Sequence, residues 1–147
     1  MDKRLLPLLL ASDRCASPDE AEPLDRLRMQ KGVFLLAMRG RPEWGPSFTF
    51  TPYDWGPYSF DLASTVESLL AQGLLVKEAS PGRRYSRYRT TQAGERLIDE
   101  LILGRPADEQ TFIAAIRNYV TSRPFARLLR EVYKAHPAYA VNSRFAG

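Results

Sequence analysis

The sequence predicts a mainly α fold that carries a small β-hairpin. Apolar residues recur at helical spacing in most segments of the chain. Two strand-like runs flank turn residues at Ser80, Pro81 and Gly82, which is typical of a hairpin. The 147 residues are 44% hydrophobic and 26% charged, values that exclude general disorder and a coiled coil.

The first eleven residues predict a short helix. Lys3 and Arg4 precede five leucines, which imitates a signal peptide, but Pro7 interrupts a run far shorter than the roughly 18 apolar residues that span a bilayer. We therefore expect this helix to pack on the core, without a membrane. The single cysteine, Cys15, can form no internal disulfide or multi-cysteine metal site, which favours a cytoplasmic protein.

A second helix is predicted from Pro23, as its first helical residue, to Gly40. Residues 33–38 are apolar on all sides of this helix, so we expect them at the centre of the core. Polar and aromatic residues alternate over 47–51 and predict a short strand. The remaining residues up to 58 are rich in Pro and Gly and predict a stiff connection.

The next three elements follow from their boundaries. Ser59 is a good N-cap for a helix over 60–72. Residues 74–77 and 84–90 are the two strands of the predicted hairpin. Thr91 is a good N-cap for the following helix, whose apolar residues share one face.

Two further helices are predicted over 108–121 and 125–135, separated by a proline and followed by an irregular tail. Gly104 marks the break before them. We assign residues 1–104 to one domain with its N-terminal helix and residues 105–147 to a C-terminal helical extension. The extension either packs on the same domain or forms a dimer interface.

The order helix, short strand, connection, helix, hairpin, helix is that of a winged helix-turn-helix. The corner at Gly73 and Leu74, and the residues Tyr88, Thr91 and Gly94, resemble the second half of MarR- and PadR-type bacterial regulators. In those families a wing hairpin follows a Gly-Leu-Ile-like corner, and a Tyr-x-x-Thr-x-x-Gly pattern opens the next helix. The resemblance implies a winged-helix fold with a wing.

A second resemblance extends over nearly the whole chain. Gln30 and Lys31, the segment 53–59 and the terminal Tyr139 look like a prokaryotic winged-helix family with a Gln-Lys helix, a Tyr-Gly-Pro-Tyr-Ser element and a Tyr-Pro-x-Tyr segment. That family is distantly similar to the Panacea antitoxin domain. That family is poorly characterised, so the resemblance implies the winged-helix fold and assigns no function by itself.

In DNA-binding winged helices the helix before the hairpin enters the major groove. Its expected exposed residues here are Ser64, Thr65, Ser68 and Gln72. These uncharged groups can hydrogen-bond to base edges. The same helix carries two acidic residues and no Arg or Lys, so a base-reading helix and an ordinary solvated face both stay open.

The hairpin carries the stronger signal for nucleic acid. Its candidate backbone contacts are Arg83, Arg84, Arg87 and Arg89. Such residues give salt-dependent affinity that does not depend on sequence, and the net charge of +4 permits a phosphate-rich partner. Strand alternation places the arginines on both faces, so the alternative is an edge protected by charge.

Three aromatic residues in the connection, Tyr53, Trp55 and Tyr58, predict either a stacking platform for bases or a wedge against the core. An enzyme is not expected, because no phosphate loop, metal-ligand spacing or nucleophile motif is present, and His136 and Cys15 have no activating partner in the sequence. No cofactor or metal is expected.

Two function hypotheses result. The first is a transcription regulator or antitoxin-like repressor that binds double-stranded DNA, with a homodimer as a further expectation. The second is a non-enzymatic protein-interaction module that binds a toxin, a polymerase or another cytosolic protein through the aromatic connection and the acid-bearing helix.

Overall fold

The computed structural model describes residues 1–145. The helices are α1 (Leu5–Ala11), α2 (Arg26–Arg39), α3 (Phe60–Ala71), α4 (Gln92–Leu101), α5 (Asp108–Thr121) and α6 (Phe125–Ala135). The strands are β1 (Thr51–Tyr53), β2 (Gly56–Tyr58), β3 (Leu75–Glu78) and β4 (Arg87–Thr90). Short 3₁₀ segments lie at Asp13–Cys15, Pro42–Ser47 and Pro137–Ala140.

Strands β3 and β4 form the wing between α3 and α4. They pair antiparallel, with Leu75 opposite Thr90 and Glu78 opposite Arg87. Gly94 in the first turn of α4 lies so close to the wing that a Cβ there would be 2.2 Å from the Leu74 carbonyl oxygen. The predicted fold is confirmed: it is mainly α, with a winged-helix arrangement, a hairpin wing and C-terminal helices.

The core lies between α1, α2 and α5. Every residue of α1 is buried, and residues 33–36 of α2 are at most 1% exposed. The prediction that the whole segment 33–38 lies at the centre of the core is wrong at its end, because Met38, in the last turn of the helix, is 51% exposed. Burying each leucine contributes about 1.5–3 kcal/mol. Val120 of α5 and Leu128 of α6 belong to the same cluster, so the C-terminal helices share this core.

Helix α2 begins three residues later than predicted. Pro23 precedes the helix, and Asp25 is the N-cap. The Asp25 side chain accepts a hydrogen bond from the Arg28 backbone N–H at 2.9 Å and pairs with the Arg28 guanidinium at 2.8 Å. A capping carboxylate accepts a hydrogen bond from a free N–H group of the first turn. A proline has no N–H group of its own, but it supplies no partner for the others, so the aspartate sets the start of the helix.

The predicted strand over 47–51 is wrong. Pro42–Ser47 forms a 3₁₀ segment in which two prolines fix the backbone, and the aromatic side chain of Phe48 packs into the core. The strand begins only at Thr51. It pairs with β2, with Thr51 opposite Tyr58, so the predicted stiff connection contains a hairpin of its own. We call β1 and β2 the first hairpin, and β3 and β4 the wing.

The predicted strand over 84–90 is shorter than expected, because only Arg87–Thr90 pairs with β3. After α6 the tail is irregular apart from one short turn, and it packs on the first hairpin, where the Arg144 N–H donates to the Asp54 carbonyl at 2.8 Å. Within residues 1–145, no helix combines the length and the apolar character needed to cross a membrane.

Candidate functional site

Helix α3 presents an uncharged polar stripe to solvent. Ser64, Ser68 and Gln72 are exposed, and Thr65 is half-buried beside them. The spacing of four residues puts the exposed three on one face. The Gln72 side-chain amide donates to the Ser68 hydroxyl at 2.7 Å, so two members of the stripe are hydrogen-bonded to each other.

The opposite face of α3 fixes the helix in the core. Leu62, Val66 and Leu69 are at most 4% exposed. Ser59 caps the helix, as predicted, by accepting a hydrogen bond from the Leu62 N–H at 3.0 Å. The acid Glu67 is exposed, and α3 contributes no cation of its own. Any attraction for phosphate must therefore come from neighbouring elements.

The wing contributes those cations, but two of its arginines are paired with a loop before α2. Arg83 lies 3.0 Å from Glu22 and donates to the Ala21 carbonyl at 2.6 Å. Arg89 lies 2.7 Å from Asp13. These acids come from distant sequence positions without periodic spacing, so nothing in the sequence indicates the pairing.

A third wing arginine, Arg87, pairs across the hairpin with Glu78 at 3.2 Å. Arg84 has no ion pair among the described residues, and its guanidinium lies 5.3 Å from the Tyr85 ring centroid. The three paired arginines keep 42–45% of their side chains exposed. Exposed pairs contribute about 0–1 kcal/mol, so phosphates can displace them at little cost.

The loop that supplies these acids is held by a buried arginine. Arg117 of α5 is 3% exposed, pairs with Glu20 at 2.6 Å and donates to the carbonyls of Leu10 and Ser12 at 2.9 and 3.0 Å. One guanidinium therefore joins the end of α1 to Glu20 and restrains the loop that also carries Glu22.

The wing itself is anchored at Tyr88. Its side chain is 4% exposed, and its N–H donates to the Leu24 carbonyl at 2.9 Å. Burial raises the pKa of Tyr88 to about 12. Arg87 and Arg89 alternate with Tyr88 along β4 and are only partly buried, so these two arginines lie on the outer face of the wing.

The three predicted aromatic residues divide between the two predicted roles. Tyr58 is 9% exposed and packs inward, whereas Tyr53 and Trp55 are 42% and 40% exposed. Phe60, at the start of α3, is 56% exposed and lies 5.3 Å from Tyr53 and 5.1 Å from Tyr58, centroid to centroid. Sequence reasoning missed Phe60, because its proximity depends on the first hairpin.

A cavity of about 280 Å³ lies between the start of α2 and this hairpin. It is lined by Arg26, Leu27, Lys31, the turn residues 53–56, Tyr58 and Phe60. Lys31 is 0% exposed, and its ammonium donates to the Pro57 carbonyl at 3.2 Å. Burial lowers the pKa of Lys31 to about 7. We call this space the Lys31 cavity.

The residue before this lysine holds the same hairpin. The Gln30 side chain donates to the Ser59 carbonyl at 3.0 Å and accepts from the Ser59 N–H at 2.8 Å. The Gln-Lys pair and the Tyr-Asp-Trp-Gly-Pro-Tyr-Ser segment therefore contact each other directly. Two motifs that are separate in sequence form one structural unit.

Neither Cys15 nor His136 lines the Lys31 cavity. Burial raises the pKa of the Cys15 thiol to about 11, which disfavours the thiolate. His136 packs edge-on against Phe34 at 5.0 Å, and burial lowers its pKa. In the part of the chain that the structure describes, no group of three His, Cys, Asp or Glu residues is placed to hold a metal ion.

No protein-family model matches the sequence, and no curated protein matches it closely enough to count as a relative. The likenesses to MarR- and PadR-type regulators and to the Panacea domain stay predictions.

Proposed function

We propose that this protein is a cytoplasmic winged-helix regulator that binds double-stranded DNA, as a transcription regulator or an antitoxin-like repressor. The observation that carries the proposal is the polar stripe of α3 beside a wing with four arginines. In winged-helix complexes the corresponding helix lies in the major groove. Arginines of a neighbouring wing position such a helix by contacting phosphates.

The stripe and the wing have separate tasks in this proposal. Ser64, Ser68 and Gln72 offer hydroxyl and amide groups that match donors and acceptors on base edges. The wing arginines supply most of the affinity, and four phosphate contacts correspond to a slope of about −3.6 in log K against log salt. Sequence preference and affinity should therefore respond to different substitutions.

Fluorescence anisotropy with a labelled duplex over a range of salt concentrations tests the wing. Arg84→Ala and the double variant Arg87→Ala/Arg89→Ala should bind more weakly and with a flatter salt dependence. Arg130→Ala is the matched control, because Arg130 is an exposed arginine of α6, outside the wing. Absence of duplex binding at low salt, or an equal loss in the control, would refute the proposal.

A protein-interaction module is the second candidate, favoured by the exposed aromatic group of Tyr53, Trp55 and Phe60. Clustered exposed aromatic side chains are enriched at protein interfaces and often anchor them. The partner would be a toxin, a polymerase or another cytosolic protein.

The second candidate predicts a stoichiometric complex that survives nuclease treatment. Trp55→Ala and Glu67→Ala should abolish the complex, and Arg130→Ala should retain it. A complex that disappears with nuclease would assign the partner to nucleic acid instead. Loss of the complex in all three variants would point to a general defect and contradict the aromatic site.

A further inference from the structure

The N-terminal end of helix α3 carries an aromatic ring that meets water. Phe60 is the first residue of the helix and is 56% exposed. Its ring lies edge-on to two tyrosines of the first hairpin, 5.3 Å from the Tyr53 centroid and 5.1 Å from the Tyr58 centroid. These contacts hold the ring in place, and more than half of the residue still meets water. Exposed apolar surface that is held in a fixed position is typical of a contact site.

Phe60 shares a face of α3 with the polar stripe. Ser64 and Ser68 follow it at intervals of four residues, which places the three side chains along the exposed side of the helix. A long side chain on a helix leans toward the N-terminus, so the ring extends this face beyond the first turn. The face therefore changes from aromatic at its N-terminal end to hydroxyl and amide groups further along.

The charges on α3 suit base edges better than phosphates. Glu67 is exposed and lies on the same face, seven residues beyond Phe60. Asp61 keeps 41% of its side chain exposed, and Lys3 lies 3.9 Å from it. Carboxylates repel phosphate. A duplex that approaches α3 should therefore turn its base edges to the helix and its backbone to the cations of neighbouring elements.

One such cation is Arg26, at the start of α2. It is exposed, donates to the Tyr58 hydroxyl at 3.3 Å and has no ion pair in the described part of the chain. It lines a small cleft of about 60 Å³ together with Ala63 and Glu67 of α3 and Tyr88 of the wing. Its guanidinium is therefore beside α3, where it can contact a phosphate of a duplex bound at that helix.

An exposed aromatic ring matches one group of the major groove, the thymine methyl. A·T pairs present this C5-methyl group beside polar donors and acceptors, and phenylalanine is among the side chains that contact it. The N-terminal residues of a helix in the major groove are the ones that reach base edges. Phe60 meets both conditions, because it is apolar and is the first residue of α3.

We propose that Phe60 recognises a thymine in double-stranded DNA by packing its ring on the C5-methyl group, while Arg26 contacts a neighbouring phosphate. This inference rests on the proposed DNA-binding function and adds to it a residue and a base that the polar stripe does not supply. Tyr53 has a positioning role, since it holds the Phe60 ring from the hairpin side. Preference at one base pair then depends on an apolar contact.

Deoxyuridine tests this contact, because its base differs from thymine only by the missing methyl group. Duplexes with a random central segment are selected on the wild-type protein, and the enriched duplex is then made with each thymine replaced singly by uracil. Fluorescence anisotropy at constant salt should show at least one position at which uracil weakens binding about fourfold. That factor corresponds to about 0.8 kcal/mol, the contribution of one buried methylene group.

Variants separate the methyl contact from general affinity. In Phe60→Ala, the enriched duplex and its uracil form should bind equally well. Phe60→Leu keeps a smaller apolar contact, so it should reduce the difference, and it serves if Phe60→Ala binds too weakly to compare. Arg26→Gln should weaken both duplexes by the same factor and keep the difference between them. Arg39→Gln is the matched control, because Arg39 is an exposed arginine at the opposite end of α2, and it should change neither affinity.

The outcomes distinguish this inference from the proposed function. Duplex binding that is unaffected by uracil at every position would overturn the inference alone and leave Phe60 to the protein-interaction candidate. A difference between thymine and uracil that persists unchanged in Phe60→Ala and Phe60→Leu would assign the methyl contact to another residue and also overturn it. Absence of any duplex binding by the wild type at low salt would refute the proposed function, and this inference with it.

Discussion

Release of the wing arginines should strengthen DNA binding. The double variant Asp13→Asn/Glu22→Gln removes the nearest carboxylates of Arg89 and Arg83 and keeps amides of nearly the same shape. Arg89 then keeps only Glu78, at 3.6 Å, and the buried Arg28, which loses Glu22 at 3.8 Å, keeps Asp25 at 2.8 Å. Asp13 is 63% exposed and Glu22 is 20% exposed, so loss of both pairs should lower the free energy of unfolding by no more than about 2 kcal/mol. The fold should survive this change.

The gain in affinity follows from the same pairs. In the wild type, phosphates must displace two carboxylates, each pair contributing about 0–1 kcal/mol. Without them, duplex binding should be tighter by up to about 2 kcal/mol, which is up to about 30-fold. Anisotropy titration with a labelled duplex at constant low salt measures this difference directly.

A matched double variant separates this local effect from net charge. Asp108→Asn/Glu131→Gln removes one carboxylate from α5, which pairs with Arg41, and one from α6, which pairs with Arg123. Both double variants raise the formal net charge of +4 by two. If the control gains as much affinity as the wing variant, the gain reflects overall charge. If neither gains, the wing arginines do not contact the duplex, and the reasoning is refuted.

Three further predictions concern stability, each measured by urea unfolding. Gly56→Ala should lower the free energy of unfolding by about 2–4 kcal/mol, because φ is +95° and the new Cβ would lie 2.8 Å from an α6 side chain. The control Gly82→Ala, where φ is +72° and the space is open, should lower it by only about 1–2 kcal/mol. Equal losses in the two variants would contradict this reasoning. The pKa of Lys31 is depressed to about 7 in the folded state, so the unfolded state binds more protons above that pH and stability should rise between about pH 7 and 8.5. Lys31→Met should flatten that rise, and an unchanged slope would exclude Lys31 as its source. Gln30→Leu should lower the free energy of unfolding by about 1–3 kcal/mol, because it leaves the buried Ser59 N–H without a partner, while the Ser59 carbonyl keeps its bond from the Ala63 N–H. A loss below about 0.5 kcal/mol would show that the bond to the Ser59 N–H is replaced.

Local signals predict most of the helices. Ser59 and Thr91 cap α3 and α4 as expected, because a side-chain hydroxyl and the free N–H groups of a first turn are close in sequence. The prolines around α6 and the apolar spacing of α5 set bounds that agree with the structure. These features depend on residues within a few positions of one another.

The first hairpin and the ion pairs of the wing depend on contacts between residues far apart in the sequence. Sequence patterns do not predict such contacts. Gly56 lies against Lys31 and α6 only after the chain has folded back. The neighbouring residues in the sequence therefore do not indicate that this turn packs against both helices. The pairing of Arg83 with Glu22 joins positions 61 residues apart. The predicted wing residues are therefore exposed as expected, while their partial neutralisation is a property of the tertiary structure.

The attachment of Tyr88 to Leu24, which precedes the N-cap of α2, has a consequence for recognition. Because the ring is buried and the backbone N–H is already bonded to Leu24, the inner half of the wing is ordered before it meets any surface. A flexible arm would lose conformational entropy on binding, at about 1–2 kcal/mol for each residue fixed. Here that loss has already occurred during folding, so a preorganised wing retains more of its contact energy as affinity.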